Sequence, residues 1–118
     1  MKKLSILKAG AARRVLVFDG PAFAKWLDKQ TMEIREKIHA QVSSVADRQI
    51  EQLIMVRKLW KHQSGTNPSI FSITAGPARL YGCFEDHDVV IVAWCIKKQR
   101  KASPEILRLA EARALELK

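Results

Sequence analysis

The chain has 118 residues, of which 47% are hydrophobic and 28% are charged. This length and composition are typical of one globular domain, so we expect residues 1–118 to form a single domain. Lysine and arginine number 21 against 12 acidic residues, for a net charge of +9, which makes nucleic acid the expected partner. An anionic membrane surface and an acidic protein are the alternatives that this charge leaves open.

The composition also restricts the cellular setting. Cys83 and Cys95 lie in apolar, strand-like segments, where free thiols behave as small hydrophobic groups, so no disulfide framework is expected. The first residues resemble a signal peptide, but Lys8 interrupts the apolar stretch. No apolar run reaches the roughly 18 residues that a membrane span needs. We therefore expect a cytoplasmic protein that does not bind a membrane.

The first third of the chain predicts a strand followed by a helix. Residues 1–12 are basic and form either a short strand or a flexible arm. Residues 14–18 read as a strand, and Pro21 suits the first position of a helix. The apolar residues that follow recur at helical spacing, which predicts an amphipathic helix packed on a core. They are Phe23, Leu27, Ile34, Ile38, Val42 and Val45.

A second helix is predicted next. Residues 43–47 (SSVAD) indicate a break, because Ser and Asp side chains compete for backbone hydrogen bonds. Asp47 is then expected to cap a helix that runs to about Lys61. Residues 62–68 contain glycine, asparagine and proline, and predict a loop.

The remaining segments predict three strands and a last helix. The strands are joined by short turns and form an antiparallel meander. They span residues 70–74, 78–84 and 89–96. Ser103 and Pro104 are the expected cap and first residue of the final helix. The predicted fold is α+β: an antiparallel sheet of the N-terminal strand plus the meander, with two N-terminal helices and the C-terminal helix on one face. The other face is expected to be partly open.

A cluster of basic residues follows the most apolar strand. Residues 89–96 have the length and β-branched content of a strand buried on both faces. Lys97 and Lys98 follow directly, and point to opposite sides if the strand continues, so that one of them at most faces a bound polyanion. Arg100 and Lys101 are expected to bind phosphates without sequence preference.

Three local patterns occur in the second half of the chain. The first is residues 70–73 (IFSI) before a glycine-containing turn. The second is residues 79–84, a strand with an Arg-aliphatic-aromatic start. The third is a β-branched strand followed by Lys97-Lys98 and then by Lys101, Pro104, Glu105 and Ile106. In this order, and together with the order of elements, they resemble the RelE/ParE toxin superfamily, and most closely its HigB-like, phage-derived branch. The resemblance covers roughly residues 14–112.

The resemblance implies the toxin component of a type II toxin–antitoxin system. Many members are ribosome-dependent endoribonucleases that cut mRNA and so inhibit translation, and we expect a metal-independent enzyme with no cofactor. The expected partners are the ribosome with its mRNA and a cognate antitoxin of the helix-turn-helix type, bound in a hetero-oligomer. The alternative is a non-catalytic member, either a gyrase-poisoning ParE-like toxin or an inactive nucleic-acid-binding relative. Thr74, where the family often has arginine, favours this alternative. A plain basic RNA-binding domain is a third possibility.

Cleavage of RNA by its own 2′-hydroxyl needs a base, an acid and cations that stabilise the phosphorane. Arg79 is the expected phosphate clamp, or else a surface residue paired with Glu85. Lys97 or Lys98 is expected as the base or acid, because clustered positive charges lower each other's pKa. Tyr81 lies on the same face as Arg79 and either stacks on a base or packs as a half-buried strand residue.

The other aromatic and histidine residues carry weaker predictions. The three tryptophans are expected in the core or beneath the antitoxin. His87 lies in a turn and is expected to be exposed. His39 and His62 have no neighbours in a metal-ligand pattern, so no metal site is expected. A one-residue slip of register decides whether Trp94 or Cys95 shares a face with Arg79.

Overall fold

The computed structural model describes residues 4–49, 51–52, 60–98 and 102–117. These residues form one sheet and three helices, which confirms the α+β class. In chain order the elements are β1 (Ser5–Ala9), β2 (Arg14–Val17), α1 (Gly20–Asp28), α2 (Met32–Asp47), β3 (Trp60–Gln63), β4 (Ile70–Ala75), β5 (Ala78–Glu85), β6 (Asp88–Ile96) and α3 (Pro104–Glu116). The three strands β4, β5 and β6 form the predicted meander, and Ser103 caps α3 as expected.

The sheet is mixed rather than antiparallel. Its six strands lie in the order β1-β2-β6-β5-β4-β3. β2 pairs with β6 in parallel, with Val15 opposite Val89 and Val17 opposite Ile91. The prediction of an antiparallel sheet is therefore wrong at this pair. No tight turn joins β2 to β6: the chain leaves β2 through two helices and returns through the four strands from β3 to β6, so no hairpin dictates their relative direction.

The N-terminal segment forms a strand where it is described. β1 pairs antiparallel with β2, with Ser5 opposite Val17 and Ala9 opposite Arg14. Of the two predictions for residues 1–12, the short strand is therefore the one seen over Ser5–Ala9. This strand lies at one edge of the sheet, and β3 lies at the other.

The predicted first helix is two helices. Asp19 begins α1 by accepting a hydrogen bond from the backbone N–H of Ala22, and Thr31 begins α2 in the same way with Ile34. The break predicted at residues 43–47 is wrong, since α2 continues through it. Val45 and Ala46 are fully buried, and this packing outweighs the low helix propensity of the serines beside them.

The second predicted helix does not begin at Asp47, although Glu51 and Gln52 within its predicted range are helical. Asp47 ends α2, and its carboxylate accepts a hydrogen bond from Ala11 instead of capping a new helix. Trp60 and Lys61 belong to β3, as does His62 from the predicted loop. Residues 53–59 of the predicted helix lie outside the described residues.

Two hydrophobic cores lie on opposite faces of the sheet. On one face α1 and α2 pack against alternate residues of the central strands, such as Ile73 and Leu80. On the other face α3 packs against Tyr81, Val90 and Val92 through its small residues. The prediction that all helices share one face is therefore wrong. α3 covers only part of the second face, and the part it leaves accessible carries the candidate site.

Contacts of aromatic residues help to hold α3 on the sheet. Arg113 of α3 donates a 2.9 Å hydrogen bond to the carbonyl oxygen of Val92. Its guanidinium lies 5.2 Å from the ring of Phe18 and 5.4 Å from that of Trp94. Trp26 and Trp94 are partly buried against the first core, as predicted for the tryptophans; the side chain of Trp60 lies outside the description. No helix in the described ranges is long and apolar enough to cross a membrane.

Candidate nucleic-acid interface

Arg79 and Lys97 face the same cleft on the second face of the sheet. Arg79 on β5 lies between Thr74 of β4 and Cys95 of β6. This register puts Cys95, and not Trp94, on the face of Arg79. Lys97 follows β6 directly, and its backbone N–H donates a 2.8 Å hydrogen bond to the carbonyl oxygen of Pro77. The two basic residues therefore line one cleft of about 550 Å³.

A third cation reaches this cleft from the edge strand. Lys61 of β3 lies opposite Ser72 of β4 and lines the same cleft as Arg79 and Lys97. We call this surface the cationic cleft. Its described lining contains no acidic residue, so nothing there neutralises the three positive charges. The lining consists of Lys61, His62, Gln63, Ser64, Ser72, Thr74, Arg79, Tyr81, Lys97, Ala102 and Leu107.

The guanidinium of Arg79 is fixed by the turn between β4 and β5. Its Nη1 donates to the carbonyl oxygens of Gly76, at 2.6 Å, and of Ala78, at 2.9 Å. Gly76 has φ +60°, a conformation that glycine adopts readily, and so supports this turn. Nε and Nη2 of Arg79 have no hydrogen-bond partner among the described residues. They can bind phosphate oxygens without breaking the anchoring contacts. The alternative pairing with Glu85 is not seen.

Lys97, rather than Lys98, is the lysine beside Arg79. The pKa of Lys97 is lowered, first by burial and then by the positive charges of Arg79 and Lys61. A lowered pKa increases the fraction of neutral amine, which is the form that can accept a proton. Lys98 is exposed and does not line the cationic cleft. Of the pair, only Lys97 lines this cleft. The strand ends at Ile96, before either lysine, and both lysines line the neighbouring cleft described below, so the prediction that they point to opposite sides does not apply.

Tyr81 is not available for stacking. Its side chain is only 1% exposed because α3 covers it, so the predicted contact with an RNA base cannot form in this structure. Burial is the main cause that raises the pKa of Tyr81 to about 12, and the neighbouring Cys95, which shares a side-chain hydrogen bond with it, adds to the rise. Burial also raises the pKa of the Cys95 thiol. Tyr81 therefore forms a neutral wall of the cleft.

Other predicted residues lie elsewhere. Arg100 and Lys101 lie outside the described residues. His87 is exposed in the turn before β6, at the opposite end of that strand from Lys97. His62, in contrast, lines the cationic cleft, where it is a second group able to transfer protons. In the described part of the chain, no three His, Cys, Asp or Glu side chains lie close enough together to hold a metal ion.

A second cleft lies beside the first, next to α3. It has a volume of about 430 Å³ and lies between the end of β6 and the first two turns of α3. We call it the α3 cleft. It shares Tyr81, Lys97 and Ala102 with the cationic cleft. Its own lining is Cys95, Ile96, Lys98, Ser103, Glu105, Ile106 and Leu109.

Comparison with known proteins adds no relative. No protein-family model matches the chain, and no curated protein or solved structure matches it significantly. The resemblance to the RelE/ParE superfamily therefore stays a prediction that depends on the quoted residue patterns. The cationic cleft is a finding that does not depend on this resemblance. Its three basic residues come from separate segments of the chain, and folding brings them together.

Proposed function

We propose that this protein is the toxin of a type II toxin–antitoxin system and acts as a ribosome-dependent, metal-independent endoribonuclease on mRNA. The observation that carries the proposal is the convergence of Lys61, Arg79 and Lys97 on one cleft whose described lining has no carboxylate. Such a surface attracts a phosphate backbone and repels cations. The sequence patterns that resemble the superfamily are the second support.

The cleft contains the groups that RNA cleavage by internal attack requires. A base removes the proton of the 2′-hydroxyl, the 2′-oxygen attacks phosphorus, and the bond from phosphorus to the 5′-oxygen breaks as an acid protonates that oxygen. The products are a 2′,3′-cyclic phosphate and a 5′-hydroxyl. Arg79 and Lys61 stabilise the negative charge of the phosphorane. Lys97 and His62 are the candidate groups for the base and the acid.

Ribosome dependence fits the small number of proton-transfer groups. Positioning of reactants supplies a large part of a reaction barrier, up to roughly 7–11 kcal/mol in well-oriented systems. A ribosome that holds the mRNA in a fixed conformation supplies this positioning. The cationic cleft is also suited to an antitoxin segment with acidic side chains, which would neutralise the toxin by covering Arg79 and Lys97. We therefore expect a hetero-oligomer with the antitoxin.

The test is expression of the protein without its antitoxin. We expect growth arrest and shortened mRNA with the unmodified protein, and loss of both effects with Arg79→Ala combined with Lys97→Ala. Lys25→Ala is the matched control, because Lys25 is an exposed lysine of α1 on the other face of the sheet. Growth arrest with intact mRNA would contradict the nuclease function.

A non-catalytic function is the second candidate, and the burial of Tyr81 favours it. With Tyr81 inaccessible, the described lining residues left for acid–base catalysis are Lys61, His62 and Lys97. A gyrase-directed toxin would induce DNA-damage signalling and leave mRNA intact. An inactive relative would bind nucleic acid in a salt-dependent way without toxicity. A neighbouring gene that encodes a small helix-turn-helix protein would favour either toxin over the inactive relative.

A further inference from the structure

The α3 cleft combines apolar walls with a carboxylate at its rim. Ile96, Ile106 and Leu109 supply apolar surface, and Leu109 is 41% exposed although it is a large hydrophobic residue. Glu105 is exposed in the first turn of α3 and is the only acidic residue in the described lining of either cleft. This lining differs from the all-polar surface that a phosphate backbone would need.

The two clefts are adjacent, because three residues line both of them. Both are lined by Lys97 and Ala102, and both end on the buried wall formed by Tyr81. A nucleotide whose phosphate binds Arg79 and Lys97 can therefore place its base beside Ile106 and Leu109. Flat bases bind through contacts of their faces with such side chains and through hydrogen bonds at their edges.

We propose that the α3 cleft binds a single RNA base and selects guanine through Glu105. This inference depends on the proposed function, since it assumes that RNA occupies the cationic cleft. An ionised carboxylate only accepts hydrogen bonds. Guanine is the base whose Watson–Crick edge presents two adjacent donors, the N1–H and the exocyclic amino group. A carboxylate pairs with both, whereas adenine, cytosine and uracil each offer it a single donor at that edge.

Neighbouring groups are placed to complete this recognition. The Ser103 side-chain oxygen accepts a 3.4 Å hydrogen bond from the backbone N–H of Ile106, so its own hydrogen remains to be donated. Lys98 lines the same cleft and carries an ammonium group that can donate hydrogen bonds. Either can donate to O6 of guanine, the acceptor that follows N1 along the same edge. This assigns a role to Lys98, which the cationic cleft does not use.

The first experiment measures base preference without cleavage. Short oligouridylates with 2′-O-methyl groups carry a single central guanosine, adenosine or cytidine, and their binding to the purified protein is measured at constant low salt. We expect the guanosine oligonucleotide to bind at least about fivefold more tightly than the others, as for a bidentate base contact. Glu105→Gln should shift the preference toward adenosine, since an amide presents one acceptor and one donor, which match the N6 amino group and N1 of adenine.

Matched controls separate this effect from charge and folding. Removal of a negative charge strengthens binding of every oligonucleotide, so the readout is the guanosine-to-adenosine ratio and not the affinity. Glu116→Gln removes an exposed carboxylate from the other end of α3, and should leave the ratio unchanged. Thermal melting should show that both variants are folded. Sequencing of mRNA ends from cells gives a second readout: guanine enriched at one position near the cut, and this enrichment lost with Glu105→Gln.

The outcomes distinguish the two proposals. If mRNA is cut in a way that depends on Arg79 and Lys97, but neither readout shows a guanine preference that Glu105→Gln changes, the base site is overturned and the nuclease function stands. If the protein binds none of the oligonucleotides and leaves mRNA intact, both proposals fail. A guanine preference altered by Glu105→Gln and retained in Glu116→Gln supports the base site.

Discussion

Removal of one cation from the cationic cleft should change the salt dependence of RNA binding by a fixed amount. Each phosphate contact on single-stranded nucleic acid contributes a slope of about −0.7 to a plot of log K against log salt concentration. Lys61, Arg79 and Lys97 together therefore contribute about −2.1. A fourfold increase in salt, from about 50 to about 200 mM, should weaken this part of the binding about 18-fold. With Arg79→Met the contribution falls to about −1.4, and the same increase should weaken it only about sevenfold.

The assay is fluorescence anisotropy with a labelled single-stranded RNA over a series of salt concentrations. Lys25→Met is the control, since it removes the same charge from α1 on the opposite face of the sheet. The control corrects for the effect of net charge, so the difference in slope between Arg79→Met and Lys25→Met reports the contact itself. Equal slopes for the two variants would show that Arg79 does not bind phosphate, and would refute the assignment of the cationic cleft.

Three further predictions concern stability and are measured by urea denaturation. Arg113→Met should lower the free energy of unfolding by about 1–3 kcal/mol, because it removes a hydrogen bond to β6 and two cation–π contacts, whereas Arg108→Met on the exposed side of α3 should have little effect. Gly10→Ala should lower it by about 1–3 kcal/mol, since a Cβ there would lie 2.5 Å from the backbone of α2; an unchanged midpoint would refute this contact. Asp88→Asn should destabilise the protein at neutral pH but not at about pH 2. The hydrogen bond from Arg14 to the ionised carboxylate lowers the pKa of Asp88 below its ordinary value of 3.8. The stabilisation by this bond is therefore present above that ordinary value and is lost as pH falls through the lowered pKa. If Asp88→Asn is still less stable than the unmodified protein at low pH, the ion pair with Arg14 is not the source of the stabilisation.

Local signals predicted the meander and the last helix correctly. Gly76 adopts φ +60° and Asp86 φ +54°, so each hairpin turn has a residue suited to a left-handed conformation. The Ser103-Pro104 pair marked the start of α3 to the residue. These elements depend on contacts between residues close in sequence, which is why the sequence was sufficient to place them.

Elements that depend on distant contacts were not predictable in the same way. β3 is a short edge strand of sequence WKHQ, with no alternation of polar and apolar residues, and only its pairing with β4 makes it a strand. The parallel direction of β2 and β6 depends on the path that the chain takes between them through α1, α2 and three strands. No pattern within either strand records it. The same holds for the position of α3, whose mixed surface does not specify the face that it covers.

The residues of the candidate site show the same difference between local and distant contacts. Arg79 and Lys97 were predicted together because alternation along β5 and the end of β6 place them on neighbouring strands. Lys61 and His62 were missed because β3 was missed. Alternation did place Tyr81 on the face of Arg79, but its burial comes from α3, which packs there from a later part of the chain. Sequence therefore identified the cations of the central hairpin and could not identify what surrounds them.

The parallel pairing of β2 with β6 has a consequence for the ribosome that synthesises this protein. The middle of the sheet closes only after β6, which ends at Ile96, has emerged from the exit tunnel. Until then the nascent chain holds Lys61 and Arg79 on strands without their central neighbour, and Lys97 has no fixed position beside them. A factor proposed to attack translating ribosomes thus acquires its assembled cleft only after β6 has left the ribosome that makes it.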